Sequence, residues 1–405
     1  MSRILWPEGV PVLVDHQPHL RTTSLCVALG HGARHDPDTA SGATHLLEHL
    51  VMSVPLDDGR SLCERIEQLG GTCNAATGPE SLMIHAQVLN EDAEQVVGWV
   101  CEALLRPQLT AQALDAERRV VLQELATAES DPADTVQDAF LASLFAGHPL
   151  GSPVGGCPET VSRITVEQLA RAHTTALATA PLAVAVVGGV QPARVAAALT
   201  AGGLRDLPAV PLRDPAADRP GPVTGELVEA WPEEFCWLLV GGRAPHAGDP
   251  RRHAYDVLAH LLGASPASLL YARIRNDEAL AYSFRAWSRN YGDTGAWRML
   301  AGVEAASAPR VLTVFREVLA EVAAGKAAPE AFAAAVRQAV MELVLLAEAP
   351  LDHAIALAGS RIHVDRPWDV DAEIALLQQV TPDQVATAAA ELSAGLVATV
   401  RPEAS

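Results

Sequence analysis

One run of local structure occurs twice in this chain, and that repetition limits the fold more than any single motif. The first copy reads as a strand at 26–29, the loop Gly32-Ala33-Arg34, then Asp36-Pro37, then a helix around His45. The second reads as a strand at 236–240, then Gly241-Gly242-Arg243, Asp249-Pro250, and a helix with His253 and His260. The recurrence indicates internal duplication of one α+β unit of about 200 residues. The length, 405 residues, exceeds one ordinary core and agrees with two. The expected fold class is α+β: two homologous α/β-sandwich-like units, each an antiparallel-rich sheet packed with helices. Pro208, Pro211, Pro215, Pro220 and Pro222 mark a linker at 206–224. It divides a first domain, 1–205, from a second, 225–405.

Within the first copy, 10–15 and 23–29 read as the strands of a hairpin. Residues 61–69 form a short helix closed by Gly70-Gly71. Next come two strands, 72–79 and 81–88, joined by a turn. The first is short, small-sided and polar, and includes Asn74 and Ala75. Such a strand suits a sheet edge. It either accepts an extended peptide as one more strand or is a capped edge with no function. Residues 91–105 are helical, a long helix runs from Thr110 through Leu125, and 181–190 hold a buried strand.

The stretch Gly42-Ala-Thr-His45-Leu-Leu-Glu48-His49-Leu-Val51 starts the first copy's helix, with Thr39 and Ser41 both available as N-cap. His45 and His49 are four apart, so they share one helix face, and Glu48 lies beside it. Two imidazoles one turn apart can hold a zinc ion, and the neighbouring carboxylate can reach its water. The order His-x-x-Glu-His is the inverzincin pattern. With 14 His and 49 Asp or Glu in the chain, chance supplies only ~0.06 matches. The competing reading is two core histidines, but a buried Glu between them needs partners. Farther on, Glu117 and Glu124 are seven apart and point the same way from the long helix. Beside Arg118 and Arg119 they read as a solvated face, unless that helix packs against the His45 helix. In the second copy His253 and His260 are seven apart with no Glu companion, which leaves it metal-free and suited to structure or substrate holding.

The net charge of −20 argues against nucleic acid and anionic membrane partners. The start of the chain lacks the apolar core of a secretory signal, and no uncharged 18-residue apolar run follows. Six cysteines are scattered without a CxxC, as in a reducing cytoplasm. A cytoplasmic protein is expected.

Taken together, these motifs make the chain resemble the pitrilysin–insulinase family of zinc metallopeptidases over nearly its whole length. The resemblance implies that His45 and His49 are zinc ligands and Glu48 the general base. Glu117-Arg-Arg-Val-Val-Leu-Gln-Glu124 resembles the family pattern Glu-Arg-x-x-Val-x-x-Glu, with Glu124 placed 75 residues after His49. That implies Glu124 as third ligand of one zinc ion per chain, and Glu117 as the residue that orients the site. Leu69-Gly70-Gly71 with Asn74-Ala75 resembles the family's substrate-binding edge strand. His148-Pro-Leu-Gly151 with Gly156-Cys-Pro-Glu resembles a family loop. Ile274-Arg275 through Tyr282-Ser resembles its Arg and Tyr seven apart, which contact substrate. Three positions depart: Ala279 replaces a usual glycine, Arg34-His35 replace an acidic residue, and the segment after His49 lacks an aromatic. The implied activity is endopeptidase cleavage of short or unstructured peptides, leader or precursor peptides among them, held as an added strand in a closed chamber. Single-chain members hold four such units and this chain two, so a homodimer is expected, or a heterodimer with a related chain. The alternative is a non-catalytic subunit of a heterodimeric peptidase.

Overall fold

The computed structural model describes residues 3–6, 9–223, 228, 230–263 and 265–403, apart from the side chains of Arg3 and Tyr282. The chain forms two compact units. The first comprises Met1–Ala126, Ser152–Arg213 and Leu345–Asp369; the second comprises Thr127–Gly151, Asp214–Val344 and Val370–Ser405. The units are therefore not the continuous stretches 1–205 and 225–405, because each includes a segment from the other half. The expected junction at 224 and 225 lies outside the described residues.

In the first unit the strands are β1 (Arg3–Ile4), β2 (Val12–His16), β3 (Thr22–Leu29), β4 (Thr72–Thr77), β5 (Leu82–Leu89) and β6 (Leu182–Gly188), in the order β1-β2-β6-β3-β5-β4. Its helices are α1 (Ala43–Ser53), α2 (Leu62–Gln68), α3 (Ala93–Leu105), α4 (Ala111–Glu129), α6 (Pro158–Val161), α7 (Val166–Thr179), α8 (Pro192–Ala201) and α12 (Pro350–Arg361). The second unit contains α5 (Pro132–Leu144) and the sheet β10-β7-β9-β8, formed by β7 (Cys236–Ala244), β8 (Ala281–Asn290), β9 (Gly295–Val303) and β10 (Val397–Arg401). Its other helices are α9 (Arg252–Leu262), α10 (Ala308–Ala323), α11 (Pro329–Glu348), α13 (Val370–Gln378) and α14 (Pro382–Ala394).

The expected hairpin of β2 and β3 does not form. β6 lies between them, parallel to β2 and antiparallel to β3. The reason is visible in β6 itself, where every residue is buried. Leu182, Val184 and Val186 face the core under the main helical layer, while Ala183, Ala185 and Val187 face α12. A strand with no solvent face belongs at the centre of a sheet. The small side chains on the second face, with Cys26 and Ala28 of β3, let α12 pack closely through Ala354, Leu357 and Ala358. In the second unit α5 plays the same part, covering Leu239 and Val397 through Val136 and Phe140. In each unit a single helix from the other half of the sequence thus closes the second face over the apolar strands of the sheet. Among the described residues no helix is long and apolar enough to cross a membrane.

β8 follows a π-helical turn, Tyr271–Asp277, and between them Ala279 takes φ +52°. It is the non-glycine residue with positive φ among the described residues. The left-handed region costs such a residue about 1–2 kcal/mol through its Cβ. The usual family glycine at this point therefore has a steric reason. Ala279→Gly should stabilise the protein by about 0.5–1 kcal/mol, after the greater chain entropy of glycine is subtracted. A urea midpoint that stays put or falls would contradict this.

Candidate metal centre

α1 opens on Gly42 at φ +94° without a side-chain cap of its own. Neither Thr39 nor Ser41 caps it. Asp36 does so from the preceding loop: its Oδ2 accepts from Gly42 N at 3.0 Å and Thr44 N at 3.2 Å, and its Oδ1 from Thr44 Oγ1 at 2.6 Å. Burial pushes the Asp36 carboxyl pKa up, against these hydrogen bonds. Leu46, Leu47, Leu50 and Val51 bury one side of α1, while His45, Glu48 and His49 stay half-buried on the other.

α4 buries few side chains, chiefly Leu114 and Val121. Glu117 and Glu124 fall on the same stripe, at i+3 and i+10 from Leu114. Leu114 and Val121 share one apolar cluster with Leu46 and Leu50 of α1. That packing is the condition under which the two glutamates cease to be a solvated face. His49 Nε2 stands 3.3 Å and His45 Nε2 3.7 Å from Glu124 Oε2. One ligand atom from each of His45, His49 and Glu124 lies within 4.8 Å of the others. On the far side of its ring, His49 Nδ1 meets Glu117 Oε2 at 3.2 Å. A carboxylate accepts, so this contact favours a proton on Nδ1 and turns Nε2 toward Glu124. Arg118, expected to mark a solvated face, donates through its Nε to Val161 O at 3.2 Å and so ties α4 to α6.

The donor set fits a metal ion. Desolvation lowers the His45 pKa, which favours the neutral imidazole that can ligate. Two imidazoles and one carboxylate are the usual set for a catalytic zinc site that keeps a position open. The His45 ring packs beside Gly155, whose absent Cβ would stand 3.6 Å from Nδ1.

Glu48 accepts a hydrogen bond from Thr77 Oγ1 at the end of β4. Thr77 was not singled out by sequence, because a threonine in a short polar strand carries no signal of what it faces. β4 is the edge of its sheet. Gly78 N bonds Ser81 O, so the alternation of the ladder turns the N–H groups of Thr77, Ala75 and Cys73 to the open side. Ala75 N–H is met there by its neighbour's Asn74 Oδ1 at 2.9 Å, with Asn74 exposed and Ala75 buried. Arg275 belongs to the second unit, where it lies over the Tyr271 ring at 5.0 Å. Tyr282 is in β8, and its side chain lies outside the described residues.

A second group, His148, Asp218 and Asp293, also has ligand atoms within 4.8 Å of one another. There His148 Nε2 meets the Asp218 backbone carbonyl at 2.9 Å, and Nδ1 accepts from Leu150 N at 3.3 Å. Both ring nitrogens serve the backbone. On α9, His253 meets buried Glu373 at 2.9 Å and His260 meets Glu342 at 2.9 Å. Neither histidine shares its acid with the other.

Family models match the chain in two stretches. One, described as Insulinase (Peptidase family M16), covers residues 11–158; the other, described as Peptidase M16 inactive domain, covers 163–339. A protein of Mycobacterium leprae is 32% identical over 80% of this chain and 74% of its own length. One of Streptomyces coelicolor is 29% identical over 97% of this chain and 87% of its own. Both are named uncharacterized zinc proteases. Among solved structures, a peptidase M16 inactive domain from Pseudomonas fluorescens has a TM-score of 0.84 at 17% identity, covering 99% of this chain and 97% of that one. A protease from Helicobacter pylori has a TM-score of 0.84 at 16% identity, covering 99% and 98%. At such identities the likeness is one of fold.

Glu124→Gln should abolish stable zinc binding, and Glu117→Gln should weaken it by about 10–100-fold while leaving a measurable site. Metal content by mass spectrometry, with competition against a chelator, reads both. Full zinc in the Glu124→Gln chain would remove that residue from the donor set.

Proposed function

The chain belongs to the insulinase family of peptidases, and from that premise we propose that it is a zinc-dependent endopeptidase. The observation supporting this most directly is the convergence of His45 Nε2, His49 Nε2 and Glu124 Oε2, with Glu48 between that centre and an open strand edge. The residues that would hold the ion are His45, His49 and Glu124, one ion per chain. Zinc so held would lower the pKa of a water toward neutrality and polarise a peptide carbonyl.

The protein's own groups have distinct tasks. Glu117 holds the His49 ring in the tautomer that leaves Nε2 free. Glu48 takes a proton from the attacking water and delivers it to the leaving amine. Thr77 orients Glu48 by its hydrogen bond. A short or unstructured peptide, such as a leader or precursor, adds along β4 at Asn74 and Ala75, its backbone meeting the open N–H groups. Asn74 must release Ala75 N–H when the peptide arrives, so its side chain keeps the empty edge from pairing with other chains. Arg275 and Tyr282 donate to the substrate or to the developing oxyanion.

The competing role, a non-catalytic subunit of a heterodimeric peptidase, draws on the match to the inactive-domain model. That match covers 163–339, whereas His45, Glu48, His49 and Glu124 all fall within the match at 11–158. The stretch matched by the peptidase model retains all four of these residues, which supports the catalytic reading. A cytoplasmic setting belongs to the same proposal and is supported by six free cysteines.

Glu48→Gln should retain zinc and lose peptide cleavage by at least about 100-fold, the usual worth of a general base. Cleavage at the wild-type rate by that variant would exclude Glu48 as the base. We further propose a homodimer in which each zinc unit is completed by Arg275 and Tyr282 of the partner subunit. Mixing Glu48→Gln chains with Tyr282→Phe chains should then restore up to about a quarter of wild-type activity, since half the random dimers carry one intact composite site. If mixing restores nothing while subunits demonstrably exchange, the site is built within one chain.

A further inference from the structure

Three arginines of the second unit form no ion pair among the described residues, although the chain carries 49 acidic side chains against 29 basic ones. They stand together. Trp287 of β8 lies directly across the ladder from Arg298 of β9, and Arg285 and Arg289 sit two residues either side of Trp287 on the same face. The Arg285 guanidinium lies 4.5 Å and that of Arg298 5.4 Å from the Trp287 ring centroid; Arg289 lies 5.8 Å from that of Tyr291. Arg285 and Arg289 are exposed. Arg298 is 5% exposed, donates to Tyr291 Oη at 3.2 Å, and its Nε has no hydrogen-bond partner among the described residues.

This arrangement is costly unless something anionic joins it. Three like charges repel, and the repulsion is strongest at the buried member, where water screens least. Burial and the neighbouring guanidiniums of Arg289 and Arg285 hold the Arg298 pKa below the usual arginine value. The aromatic neighbours also bear on what kind of ligand fits. A guanidinium beside a ring does not spend its N–H donors on it, and those donors can meet a carboxylate in bidentate fashion. Half-buried Trp287 contributes apolar surface beside those donors, which suits a carboxylate on a short aliphatic stem better than a bare inorganic anion.

We propose that this face of β8 and β9 is a recognition site for acidic side chains of a peptide. Carboxylates of glutamate or aspartate engage the in-plane donors of Arg285 and Arg289, their stems pack on Trp287, and Arg298 supplies fixed positive charge from beneath. As a statement about what the enzyme cleaves, this rests on the peptidase reading above; as a statement about binding, it does not.

The test measures binding without turnover. Full-length chain carrying Glu48→Gln is titrated into a short labelled peptide with glutamate at every second position, and separately into the same peptide with glutamine at those positions. Fluorescence anisotropy is read at low and at physiological salt. The glutamate peptide should bind about tenfold tighter or better, the advantage should shrink with salt, and Arg285→Gln with Arg289→Gln should remove it. Arg298→Met, which keeps the apolar stem, should reduce it further, with circular dichroism checking that each variant is folded. Equal binding of the two peptides, or an advantage that survives loss of both exposed arginines, overturns the proposal. So does a result in which the arginine variants change the sedimentation coefficient and leave the peptide preference intact, since the face would then bind a second copy of the chain. Because the readout is binding by a catalytically silent chain, failure of the peptidase reading leaves this measurement standing.

Discussion

The centre depends on the apolar contact between α1 and α4. Nothing in the local chemistry of α4 requires Glu117 and Glu124 to leave water, and Glu124 remains about half exposed. What fixes them is Leu114 and Val121 packing with Leu46 and Leu50. Burying a leucine or valine is worth roughly 1.5–3 kcal/mol, several times a surface ion pair. The contact therefore sets the helix spacing, and the polar atoms accept the positions it gives them. It also orders the roles of the two glutamates along one stripe: the nearer one reaches the back of the His49 ring and the farther one its front.

This explains which parts of the site were legible in the sequence. His45, Glu48 and His49 are neighbours on one helix, so periodicity alone put them on one face. Glu117 and Glu124 were placed in line by the same arithmetic. Their meeting with α1 is a tertiary fact, and the resemblance to known peptidases carried it, not spacing. Thr77 and Asp36 were missed for a common reason. Each acts through a hydrogen bond to a residue distant in sequence or beyond a turn, and a polar residue in a loop or edge strand does not announce its partner. The cap of α1 shows the effect well: Thr39 and Ser41 stood at the right distance in sequence, but the bend at Asp36-Pro37 gave the position to a carboxylate from farther back.

The fold was legible in its elements more than in its connections. A short apolar run located β6 as a buried strand. The pairing with β2 and β3 followed from that burial only once the sheet was seen, because a hairpin between near neighbours is the cheaper guess when loop closure alone is weighed. The division into continuous halves failed on similar grounds. Alanine and cysteine on the outer faces of β3 and β6 ask for a closely packed helix, and α12 answers from more than 150 residues away. A surface of small apolar side chains says that something will cover it without saying what.

The two units also place their histidines differently on one scaffold. On α1 two histidines four apart face a single carboxylate, so three donors converge and a cation is the natural way to satisfy them. On α9 the histidines are seven apart, and each has been given its own acid: Glu373, shared with Arg252 and buried, for His253, and Glu342 for His260. With separate acids beside them, the two histidines do not converge on one donor set. Where the second unit does leave charge unsatisfied, on the arginines beside Trp287, the sign is opposite.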